Sequence, residues 1–120
     1  MIIKIKGLRL RTVLGIYEWE KEIKQDVILN LHIEFDGTKV GQSNDIDDTI
    51  DYKKLKQELM SFVEKNQFLL LEKMAVDILL FILKNDKILR ATIEIDKLGA
   101  LKYCDSVSVT ETMDRASILL

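Results

Sequence analysis

The chain has 120 residues, 48% hydrophobic and 32% charged, and its 18 basic residues nearly balance 20 acidic ones. This length fits one domain with a substantial core, and the balanced charge argues against nucleic acid or an anionic membrane as a partner. The single cysteine, Cys104, excludes an internal disulfide, so the cytoplasm is the expected compartment. The sequence therefore predicts one domain over residues 1–120 with a small molecule or a protein as its partner.

Two strands are predicted near the N-terminus. The apolar side chains of residues 3–5 and of residues 8–10 have opposite parity, which predicts a strand with a bulge or a bend at the intervening Gly7. Residues 27–35 place a hydrophobic side chain at every second position, which is typical of a strand with one buried face. Residues 15–25 are too polar and too long for a tight turn, and we expect them to form a loop that carries function.

Two amphipathic helices are predicted next. Hydrophobic residues recur at helical spacing in residues 52–63, and Asp51 is the predicted N-cap. The apolar stripe of residues 71–83 is wider, which indicates that either another subunit or a deep position against the sheet covers this helix. Its most apolar run, residues 78–83, is far shorter than the roughly 20 residues that span a bilayer, so no membrane segment is predicted.

The last two predicted strands are residues 90–96 and 106–112, joined by a connection at residues 97–105. The order strand, strand, helix, helix, strand, strand predicts an α+β domain. We expect a four-stranded antiparallel sheet with both helices on one face. The opposite face of the sheet is then either covered by a partner or wet.

No metal site is predicted. His32 and Cys104 each stand alone in the sequence. Asp45, Asp47 and Asp48 lack the glycine and the twelfth-position glutamate of a calcium loop, which favours a solvated acidic loop. The chain also has no glycine-rich phosphate loop and no nucleophile elbow, so nucleophilic catalysis has no candidate.

Four residues remain as candidates for chemistry: Glu20, Tyr52, Glu72 and Lys97. Glu72 follows three leucines at a helix start, where it either faces water or accepts two parallel N–H donors from a ligand at the back of a pocket. Lys97 interrupts two strand patterns and either reaches solvent or acts as a base aimed into a pocket. Tyr52 is either a core-edge side chain or a functional one, and Trp19 beside Glu20 is packing or a pocket wall.

Four segments, GIYEWE, IDYKKL, FLLLEKM and IEIDKLGALKYCDSVSV, together resemble the dihydroneopterin aldolase family of folate and pterin metabolism. The resemblance covers nearly the whole chain and keeps the order of the segments. It implies the tunnelling fold, in which the sheets of four subunits close into a barrel ring that often stacks, so we expect a homotetramer or a homo-octamer. The segment LRLRT and the surroundings of Lys97 resemble the dihydroneopterin triphosphate 2'-epimerase branch, whereas GIYEWE looks more like the aldolases.

The resemblance also implies roles for the candidate residues. Glu72 matches the carboxylate that accepts from the pterin N3–H and 2-amino groups, with help from the main chain of Leu71. Lys97 matches the lysine that moves protons together with an ordered water. Glu20 matches the residue that organises this lysine and water, and Tyr52 matches a tyrosine that enters from the neighbouring subunit.

The implied reaction is a retro-aldol cleavage that needs no metal or other cofactor, because the dihydropterin ring accepts the electrons of the C1'–C2' bond. Re-addition inverts C2' and makes the chain a dihydroneopterin triphosphate 2'-epimerase, the favoured expectation. Release of glycolaldehyde and 6-hydroxymethyl-7,8-dihydropterin makes it a dihydroneopterin aldolase, the alternative. A second alternative is an oligomeric module that binds a pterin or purine without catalysis.

Positive charge near the pocket is expected for two reasons. A lysine base requires a lowered pKa, from burial or from a cationic neighbour such as Lys102. A triphosphate requires cations near the pocket mouth, for which Arg9, Arg11, Lys102 and Lys4 are candidates. The alternative for these basic residues is the outer face of a strand, which the sequence pattern favours.

Overall fold

The computed structural model describes residues 1–118. The elements in chain order are β1 (Ile2–Leu14), α1 (Glu18–Lys21), β2 (Gln25–Phe35), α2 (Thr38–Ser43), a 3-10 turn (Ile46–Asp48), α3 (Tyr52–Lys65), β3 (Gln67–Phe68), α4 (Leu71–Ile82), β4 (Ile88–Leu98), β5 (Ser106–Asp114) and α5 (Arg115–Ile118). The predicted α+β class and the predicted order of the long strands and helices are confirmed.

The sheet has five strands in the order β3-β1-β2-β4-β5. The four long strands pair antiparallel, as predicted. The predicted strand count was wrong, because β3 adds a short fifth strand parallel to β1 through the pairs Val13 with Gln67 and Leu14 with Phe68. Only two residues take part, so β3 has no periodic pattern from which it could have been predicted.

Gly7 forms the predicted bulge in β1. The register between β1 and β2 shifts between Ile5 and Leu8, and Gly7 has a φ of 64°, a conformation that a side chain disfavours. Its N–H donates to Asn30 Oδ1 at 2.8 Å instead of joining the ladder. The bulge reverses the parity of β1, so both of its apolar segments contact the same core.

The core lies between one face of the sheet and the two long helices. Asp51 caps α3 as predicted, with its side chain accepting from Lys54 N at 3.2 Å. The helix α3 packs over β1, and α4 packs over β4 and β5. Within a single chain Leu79 and Leu83 are already buried, so a deep position accounts for much of the wide apolar stripe, while Leu80 stays 41% exposed.

The opposite face of the sheet is polar. His32 is exposed there, as its position on the polar side of β2 predicted. Arg90 lies between Glu34 at 3.6 Å and Asp114 at 3.4 Å on neighbouring strands. These are solvated ion pairs, which contribute little to stability individually.

The acidic residues between β2 and α3 serve local turns. Asp45 accepts from Asp47 N at 2.9 Å, and Asp48 accepts from Ser43 Oγ at 2.6 Å and lies 3.7 Å from Lys39 Nζ. Within residues 1–118, no group of three His, Cys, Asp or Glu side chains comes together in a way that suits a metal ion. No helix in this range combines the length and apolar composition needed to cross a membrane.

Candidate active site

A cleft of about 340 Å³ lies where the ends of β1 and β4 meet α1 and the N-terminus of α4. Four of the five predicted site residues line it: Glu20, Leu71, Glu72 and Lys97. The rest of its lining is mostly apolar, formed by Leu14, Gly15, Ile16, Tyr17, Trp19, Gln25, Leu69, Leu70, Gly99, Ala100 and Val107. Trp19 was predicted to be either a packing residue or a pocket wall, and its position in the cleft lining supports the pocket wall.

Lys97 faces this cleft because of its register in the sheet. It has the same parity as Ile93 and Ile95, which are fully buried on the core face of β4. Its neighbours across the sheet are Val27 on one side and Val107 on the other. Its side chain is only 16% exposed, which excludes the solvent-facing alternative for Lys97 and leaves the alternative that points into a pocket. The strand β4 continues to Leu98, two residues beyond its predicted end.

Glu20 belongs to a one-turn helix inside the segment that was predicted to be a loop. Its backbone N–H donates to Tyr17 O at 3.0 Å, and its Oε1 accepts from Tyr17 N at 3.2 Å. This reciprocal pair of bonds closes the turn and directs the carboxylate inward, where Glu20 is 4% exposed. Oε2 then accepts from Lys97 Nζ at 2.6 Å, a charge-assisted hydrogen bond.

The electrostatics of the pair follow from these contacts. The hydrogen bond from Lys97 lowers the pKa of Glu20 below its ordinary value, and the bonds from Tyr17 and Gln25 act in the same direction, whereas burial opposes them. Glu20 is therefore a carboxylate, and Lys97 stands beside it as an ammonium donor. Among the described residues that line the cleft, none is the expected cationic neighbour of Lys97: Lys102 is exposed on the following loop, and the Glu20 carboxylate faces the amine instead.

Gln25 is a site residue that the sequence reasoning missed. Its Nε2 donates to Leu14 O at 2.6 Å and to Glu20 Oε2 at 3.4 Å. Gln25 therefore bridges the end of β1 and the Glu20 carboxylate. The signal was present, because Gln25 shares the inward parity of Val27 and Leu29 on β2. When a polar residue such as Gln25 ends a row of side chains that face the core, it can line a pocket at the edge of that core.

Gly15 provides the space that Glu20 occupies. A Cβ atom on Gly15 would overlap the Glu20 carboxyl group, and its φ of 145° is one that side chains disfavour. The Gly15 N–H donates to Phe68 O at 3.1 Å. The short strand β3 therefore holds the corner between β1 and α1 in place, which gives this unpredicted strand a part in positioning the site.

Glu72 and Leu71 occupy the first turn of α4. The N-cap is Leu70, whose side chain supplies no cap, and the first intrahelical bond is from Met74 N to Leu70 O at 3.1 Å. The N–H groups before Met74 therefore lack intrahelical acceptors and favour an anion nearby. Glu72 is exposed on the cleft wall and, among residues 1–118, forms no ion pair closer than 4.0 Å, so its carboxylate is free to accept from a ligand.

The remaining candidates lie outside the cleft of their own chain. Tyr52 is the first residue of α3, is 55% exposed, and does not line the cleft. Arg9 and Arg11 lie on the outer face of β1, at 4.0 and 3.4 Å from Asp26. Lys4 is exposed on the same strand. These three basic residues therefore lie on the outer face of a strand, the alternative to a position near the pocket mouth.

A second, larger cleft of about 520 Å³ lies between the start of α3 and the end of α4. It contains none of the predicted site residues, and its three lysines are accompanied by three acidic residues. The smaller cleft is the candidate active site, because it joins a buried ion pair to an open carboxylate at a helix start.

Comparison with known proteins places this chain among enzymes that act on dihydroneopterin compounds. Residues 3–112 match the family model described as FolB, dihydroneopterin aldolase. The dihydroneopterin triphosphate 2'-epimerase of Escherichia coli strain K12 is 42% identical over 114 residues, which cover 95% of each chain. The dihydroneopterin aldolase of the same strain is 28% identical over 108 residues, which cover 90% of this chain and 88% of that one.

Comparison with solved structures agrees with the sequence comparison. The crystal structure of E. coli dihydroneopterin aldolase in complex with neopterin matches with a TM-score of 0.89 at 26% identity, covering 94% of this chain and 98% of the other. The predicted preference for the epimerase branch is matched by the higher identity to the epimerase. The family model covers most of the chain, and so the resemblance predicted from four sequence segments is confirmed: the chain belongs to the dihydroneopterin aldolase family.

Proposed function

We propose that the protein is a dihydroneopterin triphosphate 2'-epimerase, an enzyme of pterin metabolism. The observation that carries this proposal is the Glu20–Lys97 pair, joined at 2.6 Å inside a cleft that Glu72 also lines. Identity to a relative named as such an epimerase supports the choice of substrate. Dihydroneopterin aldolase is the alternative activity, favoured by the more distant relative of that name.

The pterin ring binds against the first turn of α4. The Glu72 carboxylate presents two acceptor oxygens, which suit two parallel N–H donors such as N3–H and the 2-amino group of a pterin. The main chain of Leu71 supplies a further polar contact in the same turn. The apolar walls of the cleft contact the faces of the ring, and Trp19 is the aromatic member of those walls.

The Glu20–Lys97 pair handles protons at the side chain of the substrate. Lys97 first passes one proton to solvent through an ordered water, and its neutral amine then takes the proton of the 2'-hydroxyl and becomes an ammonium again. The C1'–C2' bond then breaks, its electrons pass into the dihydropterin ring, and C2' becomes a carbonyl carbon. Rotation of this carbonyl and re-addition of C1' restore the bond with inverted C2', and the Lys97 ammonium returns the proton to the 2'-oxygen, which completes epimerisation.

Aldolase activity shares the first half of this reaction. If the carbonyl fragment leaves before re-addition, protonation of C1' completes the cleavage. The products are then glycolaldehyde, or its phosphorylated counterpart, and 6-hydroxymethyl-7,8-dihydropterin. How long the cleft retains the fragment therefore decides between the two activities.

We further propose that the site is completed by a second subunit in a homotetramer or homo-octamer with the tunnelling fold. Tyr52 is exposed and lies outside the cleft of its own chain, as expected for a residue that serves a neighbour. Within residues 1–118, the edge strand β5 and most of the outer edge of β1 have no strand partner, so closure of a ring would supply backbone hydrogen-bond partners to both. The free, exposed Cys104 suits the reducing cytoplasm.

A product assay tests the proposed function. The protein is incubated separately with 7,8-dihydroneopterin triphosphate and with 7,8-dihydroneopterin, and the products are resolved by chromatography. The proposal predicts the 2'-epimer from the triphosphate, whereas faster cleavage of the unphosphorylated compound would favour the aldolase. No product from either substrate would leave only a non-catalytic pterin or purine binder.

The Lys97→Ala variant tests the assigned base. Turnover is expected to fall by about 10²- to 10⁴-fold, the range for loss of a general acid or base, while pterin affinity stays close to that of the wild type. Normal turnover by this variant would contradict the proposed chemistry. Sedimentation as a stable monomer would contradict the shared site.

A further inference from the structure

The charge inside the cleft argues against binding of phosphate groups there. Its charged lining residues are Glu20, Glu72 and Lys97. The ammonium of Lys97 is already engaged by the Glu20 carboxylate at 2.6 Å, so the cleft is negative overall. A triphosphate next to this lining would meet repulsion from Glu72 without a free cation to offset it. The phosphate groups of the proposed substrate must therefore extend through the mouth of the cleft.

Cations near the mouth differ in whether they are already paired. On α1, Lys21 Nζ lies 3.3 Å from Glu18. On α4, Lys73 Nζ lies 2.7 Å from Asp77. Both lysines belong to elements that border the cleft, but each has a local carboxylate partner. Neither therefore offers an unengaged positive charge to a ligand.

Lys102 lies on the loop that follows β4, and this loop borders the cleft through Gly99 and Ala100. Lys102 is exposed, and across residues 1–118 it has no hydrogen-bond or ion-pair partner. Consecutive Cα atoms are about 3.8 Å apart, so the Cα of Lys102 lies within about 8 Å of that of Ala100. Its flexible four-carbon side chain is long enough to span much of this distance, so the ammonium group is within reach of the mouth.

We propose that Lys102 is the cation that contacts the triphosphate of the substrate at the mouth of the cleft. This inference rests on the proposed function and adds a residue that selects the phosphorylated substrate. The pterin and the C1'–C2' bond occupy the cleft, and the phosphates pass over the loop at residues 99–105. Of the four basic residues considered as triphosphate contacts, Arg9, Arg11 and Lys4 lie on the outer face of β1, which leaves Lys102 beside the cleft.

Lys24 is the matched control. It is also exposed and unpaired within residues 1–118, and it precedes the cleft-lining Gln25. Lys24 precedes the first residue of β2 and is not among the residues that line the cleft. Diffuse attraction between basic protein surface and phosphate would depend on both lysines alike, whereas a specific contact would depend on Lys102 alone.

The test compares equilibrium dissociation constants for dihydroneopterin triphosphate and dihydroneopterin, measured anaerobically by calorimetry. The readout is the ratio of the two constants in the full-length wild type, Lys102→Ala, Lys102→Glu and Lys24→Ala. We expect Lys102→Ala to reduce the preference for the triphosphate by about two- to fivefold, the effect of one solvent-exposed charge pair. Lys102→Glu should reduce it further, raised salt should diminish the preference of the wild type, and Lys24→Ala should leave the ratio unchanged.

Each other outcome overturns the inference. A wild type that binds both ligands equally has no phosphate contact, and an unchanged ratio in Lys102→Ala places the contact elsewhere. Equal losses in Lys102→Ala and Lys24→Ala indicate diffuse attraction. The proposed function is judged separately by its products: a Lys102-dependent preference without turnover would support the phosphate contact and refute the epimerase.

Discussion

Replacing Lys97 by methionine tests whether the Glu20–Lys97 pair is as tightly coupled as its geometry indicates. Methionine keeps an unbranched, flexible side chain at this position and removes only the ammonium group. The side chains of Glu20 and Lys97 are 5% and 16% exposed, so the substitution leaves a carboxylate in a largely dry environment. Removing one partner of a buried pair costs about 3–5 kcal/mol of unfolding free energy.

The size of this loss depends on pH in a defined direction. The bond from Lys97 lowers the pKa of Glu20 below its ordinary value of 4.5. A carboxyl group with a lowered folded-state pKa stabilises the fold above its unfolded pKa, and that contribution is lost as pH falls through the folded pKa. In the variant the buried carboxylate instead favours protonation. The difference between wild type and variant should therefore be largest near neutral pH and small once Glu20 is protonated.

Urea denaturation at neutral pH and at about pH 3.5, at one fixed protein concentration, measures this difference. Lys56→Met is the control, because Lys56 is exposed on α3 without an ion-pair partner among the described residues, and it should change stability by no more than about 0.5 kcal/mol. A loss of less than about 1 kcal/mol for Lys97→Met at neutral pH, or an equal loss at both pH values, would refute the coupling.

Three further variants separate binding, positioning and stability. Glu72→Ala should weaken pterin binding by about 10- to 100-fold, because the charge-assisted hydrogen bonds to the ring are lost. The unfolding free energy should stay nearly unchanged, because Glu72 is exposed. Equal affinity of variant and wild type by calorimetry would contradict the role of Glu72 as the residue that holds the ring. Gly15→Ala should displace the Glu20 carboxylate and reduce turnover by about 100-fold or more, while circular dichroism reports a retained fold. Arg115→Ala removes three hydrogen bonds that the guanidinium donates to backbone carbonyls at the turn after α4. The unfolding free energy should fall by about 2–4 kcal/mol. Turnover should be unaffected at a temperature at which the variant is still folded.

The parts of the fold that were predictable depend on local patterns. The period-two pattern of residues 27–35 predicted β2, because one face of this strand is buried and the other is not. Asp51 was predictable as an N-cap because the cap bond joins residues three apart in sequence. Gly7 was predictable as a bulge because the parity of the apolar residues reverses there.

Other parts depend on contacts between distant segments, and residue patterns alone do not predict them; the association of Glu20 with Lys97 was expected only from the family resemblance. Glu20 and Lys97 are 77 residues apart, and nothing near Glu20 in the sequence indicates that it is 4% exposed. Gln25 and β3 acquire their roles from the end of β1, which only the folded sheet brings to them. The direction of Lys97 was predictable from its own strand, since it shares parity with the buried Ile95, but the prediction of a base facing a cleft came from the family resemblance.

The bulge at Gly7 connects the first strand pattern to the candidate site. Before the bulge, Ile3 and Ile5 contact the core; after it, the inward positions are even-numbered and end at Leu14. Without this one-residue reversal, Leu14 and the following corner would point to the outer face of the sheet. Glu20 would then lie on the opposite face from Lys97, whose direction β4 sets independently. Formation of the ion pair therefore requires both the register of β4 and the reversal at Gly7, and a change in either one separates the carboxylate from the amine.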